Sequence, residues 1–157
     1  MGDSTTIIGM DISRNALTLY NKYHEEASLI IGNILSIGIK NETLDGIYNL
    51  GVMEHFNEGE IDTIFSEFHR ILKKNGVIVI FWPPKYGLTV IGLRIGHIFL
   101  NSVLRKNIHL HPPEPSLITS RANIEKIVRT AGFNLKEINF SPADAYTYMV
   151  VVMEKID

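Results

Sequence analysis

Asn57-Glu58-Gly59-Glu60-Ile61-Asp62-Thr63-Ile64-Phe65-Ser66-Glu67-Phe68-His69-Arg70-Ile71-Leu72-Lys73-Lys74-Asn75-Gly76-Val77-Ile78-Val79-Ile80-Phe81 is the stretch that decides the fold. Ile61, Ile64, Phe65, Phe68, Ile71 and Leu72 recur at the spacing of one helix face. Glu58, Glu60 and Asp62 lie in the first turns and Lys73-Lys74 at the end, each on the side the helix dipole favours. Gly76 reads as the stop. The continuous apolar run that follows predicts a strand covered on both faces.

Working outward, short apolar runs recur between helical patterns. Thr6-Ile7-Ile8-Gly9-Met10, ending at Asp11, reads as a buried strand, Ser28-Leu29-Ile30-Ile31-Gly32-Asn33 as a second short strand and Asp45-Gly46-Ile47-Tyr48-Asn49-Leu50 as a third. Ser13 is placed to cap a helix whose buried face holds Ala16, Leu17 and Tyr20. Ser120 caps another, with Ile124, Ile127, Val128 and Ala131, stopped at Gly132. Two closing strands, 135–140 and 146–154, are joined by Ser141-Pro142-Ala143-Asp144-Ala145, a link so short that only an antiparallel pair is possible. Alternating strands and helices predict an α/β fold in one domain over residues 1–157, mostly parallel, with helices on both faces and a C-terminal antiparallel hairpin. Ligands of such sheets bind at the carboxyl ends of the strands. That places Asp11, Asn33, Leu50-Gly51 and Trp82-Pro83-Pro84 along one rim.

Composition narrows the function classes. The chain has 157 residues, 45% hydrophobic and 20% charged, with a net charge of −2. That charge gives no electrostatic reason to expect a nucleic-acid partner. There are no cysteines, which removes disulfides and thiolate metal sites. No basic segment followed by an apolar one opens the chain, so no secretory signal is read and a cytoplasmic location is the default expectation. Residues 88–104 are the most apolar stretch, but Arg94, His97 and Asn101 interrupt it. The run falls short of the roughly 20 residues of a membrane span.

Four segments carry a resemblance in the same order. Ile8-Gly9-Met10-Asp11-Ile12-Ser13 resembles the second strand of class I S-adenosylmethionine-dependent methyltransferases, a Rossmann-like fold in which the terminal acid binds the cofactor ribose. Gly32-Asn33-Ile34 is similar to the end of the third strand, where the family usually has Asp beside the adenine. Leu44-Asp45-Gly46-Ile47-Tyr48-Asn49-Leu50-Gly51-Val52-Met53-Glu54-His55-Phe56 resembles the fourth strand and its turn. Phe68-His69-Arg70-Ile71-Leu72-Lys73-Lys74-Asn75-Gly76-Val77-Ile78-Val79-Ile80 resembles the helix and fifth strand beyond. The resemblance implies methyl transfer from S-adenosyl-L-methionine to a small-molecule acceptor, with Asp11, Ile12, Asn33, Ile34, Leu50 and Gly51 as the cofactor-binding set.

The pattern departs at its front. In the family a first strand and a glycine-rich turn precede the segment matching residues 7–11, and that turn wraps the methionine end of the cofactor. Gly2 and Gly9 are the only glycines before Asp11. The expectation is a shortened domain that lacks the first strand and helix and binds S-adenosylmethionine weakly or not at all. A gene fragment, a pseudoenzyme and a clipped enzyme all fit. The strands flanking the gap would then close up and pair, or take a strand from another chain, or leave the domain destabilised.

His55 is the candidate catalytic residue, a general base at the mouth of the site. The alternative is a histidine at the start of a helix that packs or bonds locally. Glu54-His55 also resembles the end of a Glu-x-x-Glu-His metal motif, but Gly51 stands at the first Glu, so no metal is expected. His109 and His111 alternate on an extended segment without an evident third ligand. Residues 82–115 read as an insertion over the acceptor, with Trp82, Tyr86, Arg94 and His97 as substrate or lid residues. Its helix, 88–104, is apolar nearly all round. It closes over an acceptor, forms a dimer, touches a membrane surface or simply packs. A homodimer with this helix at or beside the contact is expected, and a non-catalytic module that self-associates through it is the alternative to an enzyme.

Overall fold

The computed structural model describes residues 5–84, 118, 120–140 and 147–156. Tyr86, Arg94, His97, His109, His111, most of the 82–115 insertion with its 88–104 helix, and the 141–145 link lie outside the described residues. The chain divides into two compact units, Met1–Ile39 and Lys40–Asp157.

In the first unit, β1 (Ile8–Asp11) pairs in parallel with β2 (Ser28–Ile31), Ile8 opposite Ser28 and Asp11 opposite Ile31. Helix α1 (Arg14–Asn21) makes the crossover that a parallel pair requires. Two side chains steer the strand into the helix. Asp11 Oδ1 accepts from the Ser13 amide at 2.7 Å, and Ser13 Oγ accepts from the Ala16 amide at 3.3 Å. The buried face is narrower than expected. Leu17 is buried, whereas Ala16 and Tyr20 are exposed, because two helical turns over two strands cover only one stripe. The Tyr20 ring stacks on His24 instead, 4.4 Å between centroids.

The second unit begins with β3 (Leu44–Leu50), α2 (Glu58–Ile71) and β4 (Leu72–Trp82). It continues with α3 (Arg121–Thr130), β5 (Phe133–Asn139) and β6 (Met149–Lys155). The sheet order is β3-β4-β6-β5, β3–β4 parallel and the other two pairs antiparallel. The terminal hairpin thus folds back so that the last strand lies against β4. Helix α2 starts in a capping box. Asn57 Oδ1 accepts from the Glu60 amide at 3.1 Å, and the Asn57 amide donates to Glu60 Oε2 at 2.9 Å. Ile61, Ile64, Phe65, Phe68 and Ile71 are all buried, and Phe65 meets Phe133 of β5 at 6.1 Å.

Strand alternation sets Ile78, Ile80, Val151, Met153 and Phe133 on this helix-covered face, where all are buried. The opposite face holds Tyr48, Leu50, Val77, Val79 and Phe81. Tyr48 is 66% exposed, Leu50 and Val77 are exposed, and Val79 and Phe81 are half-buried. The β4 run is therefore buried on one face only, where its sequence predicted cover on both. Among the described residues β1 and β3 do not pair, and each has one neighbour, β2 and β4 respectively.

Helix α2 also ends differently from its sequence reading. Leu72 is already extended (φ −75°, ψ 140°), and the left-handed residue is Asn75 (φ 60°), not Gly76. The real terminator is distant in sequence. Buried Lys155 donates from Nζ to the Leu72 carbonyl at 2.9 Å, setting an ammonium at the negative end of α2. Lys155→Met keeps the apolar stem and orphans that carbonyl. It is expected to lower unfolding free energy by about 1.5–3 kcal/mol, measured from urea midpoints.

His69, on the last turn of α2, faces the same corner. A Cβ at Gly132 (φ +82°) would sit 3.0 Å from its ring, and the Phe133 ring lies 5.4 Å away. Burial, then the Lys155 charge, lowers its pKa, opposed by a hydrogen bond with the Ile156 backbone. The folded state therefore prefers neutral imidazole. Its stabilising contribution is complete above the ordinary value of about 6.5 and is lost as pH falls through the lower folded value. Stability is expected to decline on acidification below about pH 6.5, and less steeply in His69→Gln, as read from urea midpoints across pH.

Candidate functional site

Parallel pairing brings the carboxyl ends of β1 and β2 side by side. The Gly32 amide donates to the Asp11 carbonyl at 3.1 Å, so Asp11 and Asn33 share one end of the first unit. Asp11 is exposed. Oδ1 is occupied by the Ser13 amide, and Oδ2 has no partner among the described residues. Ile12 beside it is 75% exposed. Asn33 forms a side-chain turn, its Oδ1 accepting from the Leu35 amide at 2.9 Å. Its carboxamide N–H groups thus remain as the functional end, and half-buried Ile34 follows.

The second unit has its own rim. The Gly51 amide donates to the Phe81 carbonyl at 3.1 Å, tying the turn after β3 to the end of β4. Gly51 is left-handed, φ +64°, a conformation that costs other residues about 1–2 kcal/mol. A Cβ here would lie 3.2 Å from Tyr148 Oη and 3.5 Å from Glu54 Oε1. Tyr148 arrives just before β6, whose Met149 faces Trp82. Glu54 is buried in the 3-10 turn Met53–His55, and His55 is exposed. Trp82, read from sequence as a substrate residue, is 4% exposed on the helix-covered face of β4 with Ile78 and Ile80. The buried Pro83 and Pro84 continue it. Pro84 bridges Ile118, whose amide donates to the Pro83 carbonyl at 3.3 Å. Asn49 is 93% buried, at 7% exposure, and its Oδ1 has no hydrogen-bond partner among the described residues.

Among the described residues no three His, Cys, Asp or Glu are grouped to hold a metal ion. No helix among them is long and apolar enough to cross a membrane.

The profile of the methyltransferase domain family matches residues 1–80, which include β1, the Asp11 and Gly51 turns and most of β4. The chain belongs to that family. No curated protein sequence matches it. Solved structures carry the fold further. A SAM-dependent methyltransferase from Methanosarcina mazei is similar at a TM-score of 0.71 and 11% identity, over 96% of this chain and 82% of that one. The magnesium protoporphyrin IX methyltransferase of Synechocystis PCC 6803, with bound SAH, gives 0.67 at 19% identity over 97% of this chain and 65% of its own. The 1,6-didemethyltoxoflavin-N1-methyltransferase of Burkholderia thailandensis, with its toxoflavin precursor and S-adenosylhomocysteine, gives 0.65 at 13% identity over 96% and 61%. The chain spans less than two thirds of the last two proteins.

Tyr148 and the burial of Glu54 escaped the sequence reading of this methyltransferase fold. The only sequence signal was a tyrosine leading the last strand. Gly51→Ala introduces both backbone strain and the 3.2 Å approach to Tyr148. It is expected to lower unfolding free energy by about 1–2 kcal/mol, read from chemical denaturation.

Proposed function

We propose that this chain takes part in S-adenosyl-L-methionine-dependent methyl transfer to a small-molecule acceptor, and that its first unit binds the adenosine half. The observation that carries the reading is Asp11. Its carboxylate ends β1 with one oxygen fixed by the Ser13 amide and the other open, an arrangement suited to ribose hydroxyls. Exposed Ile12 and half-buried Ile34 supply apolar contact for the adenine faces. The Asn33 amide, its oxygen held in the turn, donates to a ring nitrogen. Leu50 and Gly51 join the cofactor set by family resemblance alone.

When bound, S-adenosylmethionine supplies a methyl group on an already activated sulfonium. What the chain adds is alignment, which can supply several kcal/mol of rate in such displacements. Exposed His55 is the candidate base for the acceptor proton.

The described residues of the first unit fit the adenosine half. Gly9, the one glycine among residues 5–11, lies within β1, where a Cβ would meet Leu29 at 3.0 Å and Tyr20 at 3.6 Å. It packs inside the unit and forms no turn for the methionine end. Calorimetric titration is therefore expected to give adenosine and S-adenosylhomocysteine similar affinities. Asp11→Ala should weaken both by about 1.5–3 kcal/mol. A much tighter S-adenosylhomocysteine would reveal a methionine-end site in this chain, and an unchanged Asp11→Ala would remove Asp11 from the ribose.

A further inference from the structure

Asn33 offers a ligand less than its side chain contains. Its Oδ1 accepts from the Leu35 amide at 2.9 Å, and its main-chain carbonyl accepts from the Ser36 amide at 3.0 Å. The side-chain oxygen is thus turned back into the residue's own turn. A carboxamide is planar, with oxygen and nitrogen on opposite arms of Cγ, so the nitrogen is directed out of that turn. Asn33 is exposed, and its Nδ2 has no partner among the described residues. What faces outward is therefore a pair of N–H donors. A carboxylate at this position would behave differently, since it has two oxygens: one would hold the Leu35 amide and the other would still accept.

The Gly32 amide, bonded to the Asp11 carbonyl at 3.1 Å, ties this turn to the end of β1. A nucleoside whose ribose lies on the Asp11 carboxylate meets Asn33 with its base. The purine edge that carries the 6-substituent differs between bases. In adenine it shows a ring-nitrogen acceptor beside an amine donor, and in a 6-oxopurine it shows two acceptors side by side. The two N–H groups of Asn33 are both satisfied by the second edge. Against adenine one of them finds the ring nitrogen and the other meets an amine, donor against donor, which costs affinity.

We infer that Asn33 is a specificity-determining residue, and that the base subsite of the first unit prefers a 6-oxopurine nucleoside to adenosine. The inference rests on the reading of Asp11 as the ribose ligand and deepens it. The ribose is held by Asp11 whatever the base, and the base is chosen by the donor pair of Asn33. An S-adenosyl ligand is held there through its ribose and one ring nitrogen, with its amine unused. Replacing the amide by a carboxylate reverses the choice, because the oxygen not needed by the turn accepts from the adenine amine.

The test is titration of inosine and adenosine into the whole chain by ligand-observed NMR. The wild-type chain is expected to bind inosine about two- to tenfold more tightly, the span of one net hydrogen bond. Asn33→Asp should reverse the ratio and favour adenosine by about tenfold, a hydrogen bond to a charged group. The readout is a ratio, so a general effect of the added charge on both nucleosides cancels. Hydrogen exchange at the Leu35 amide shows that the turn persists in the variant. Asp11→Ala should weaken both nucleosides equally and leave the ratio unchanged. Equal affinities or a preference for adenosine in the wild-type chain, or the wild-type ratio in Asn33→Asp with its turn intact, would overturn the inference. The two readings fail separately. A chain that binds both nucleosides, weakens in Asp11→Ala and prefers adenosine loses only the base preference. Absence of binding by either nucleoside, or affinities untouched by Asp11→Ala, removes the ribose reading and the base preference with it.

Discussion

β3 and β4 run parallel, and much of the second unit follows from that. A parallel neighbour cannot be reached by a tight turn, so the chain must cross back along the sheet. The crossover is α2, and its apolar stripe is what holds the pair in register. Ile61, Ile64, Phe65, Phe68 and Ile71 are all buried, as are Ile78 and Ile80 on the β4 face toward them. Each buried side chain of this size contributes roughly 1.5–3 kcal/mol, so the stripe outweighs the single capping box that starts it. The same crossover places Gly51 and Phe81 at one end of the sheet, joined by a main-chain hydrogen bond of 3.1 Å. Position of the rim is thus a by-product of strand direction.

The other end of the crossover depends on a long-range charge. Lys155, the last residue of β6, is buried with its ammonium on the Leu72 carbonyl. A buried ammonium is costly unless hydrogen-bonded, and a helix C-terminus offers the carbonyls to bond it. One contact therefore fastens the last strand to the first helix of the unit. It also brings a positive charge beside His69, where it adds to the effect of burial on the imidazole.

Local signals were legible in the sequence, and non-local ones were not. Ser13 and Ser120 were each readable as helix caps, because a short polar side chain precedes an apolar period. Both side chains accept the expected amide, from Ala16 and Asn123. The antiparallel ending was readable because five residues cannot hold a crossover. The side of β4 left half-covered was not, since Val77-Ile78-Val79-Ile80-Phe81 is apolar at every position and gives no alternation to mark inside from outside. Asn75 rather than Gly76 takes the left-handed conformation because strand pairing, not helix capping, governs those residues. Asp11 and Asn33 were readable as rim residues because each ends an apolar strand run. What spacing could not supply is that Asn33 commits its oxygen to its own turn. Tyr148 was hidden most deeply, because its approach to Gly51 exists only once β6 lies against β4.

Costs to stability gather at one place. Asn49 keeps a buried carboxamide oxygen without a partner among the described residues, a burden of about 1–3 kcal/mol. Two residues on, Gly51 adopts a backbone that side chains resist, and three further on a carboxylate is buried at Glu54. A strand designed only to hold a sheet together would place an aliphatic residue at Asn49 and end before the left-handed turn. The first helix-covered positions of β4, Ile78 and Ile80, show that aliphatic solution a few ångströms away. Local rules broken within six residues, beside a core that obeys them, are what a binding rim looks like energetically. The departures mark the carboxyl end of β3, the end at which open α/β sheets take their ligands. Strand direction and local cost point to the same rim, and neither argument depends on the other.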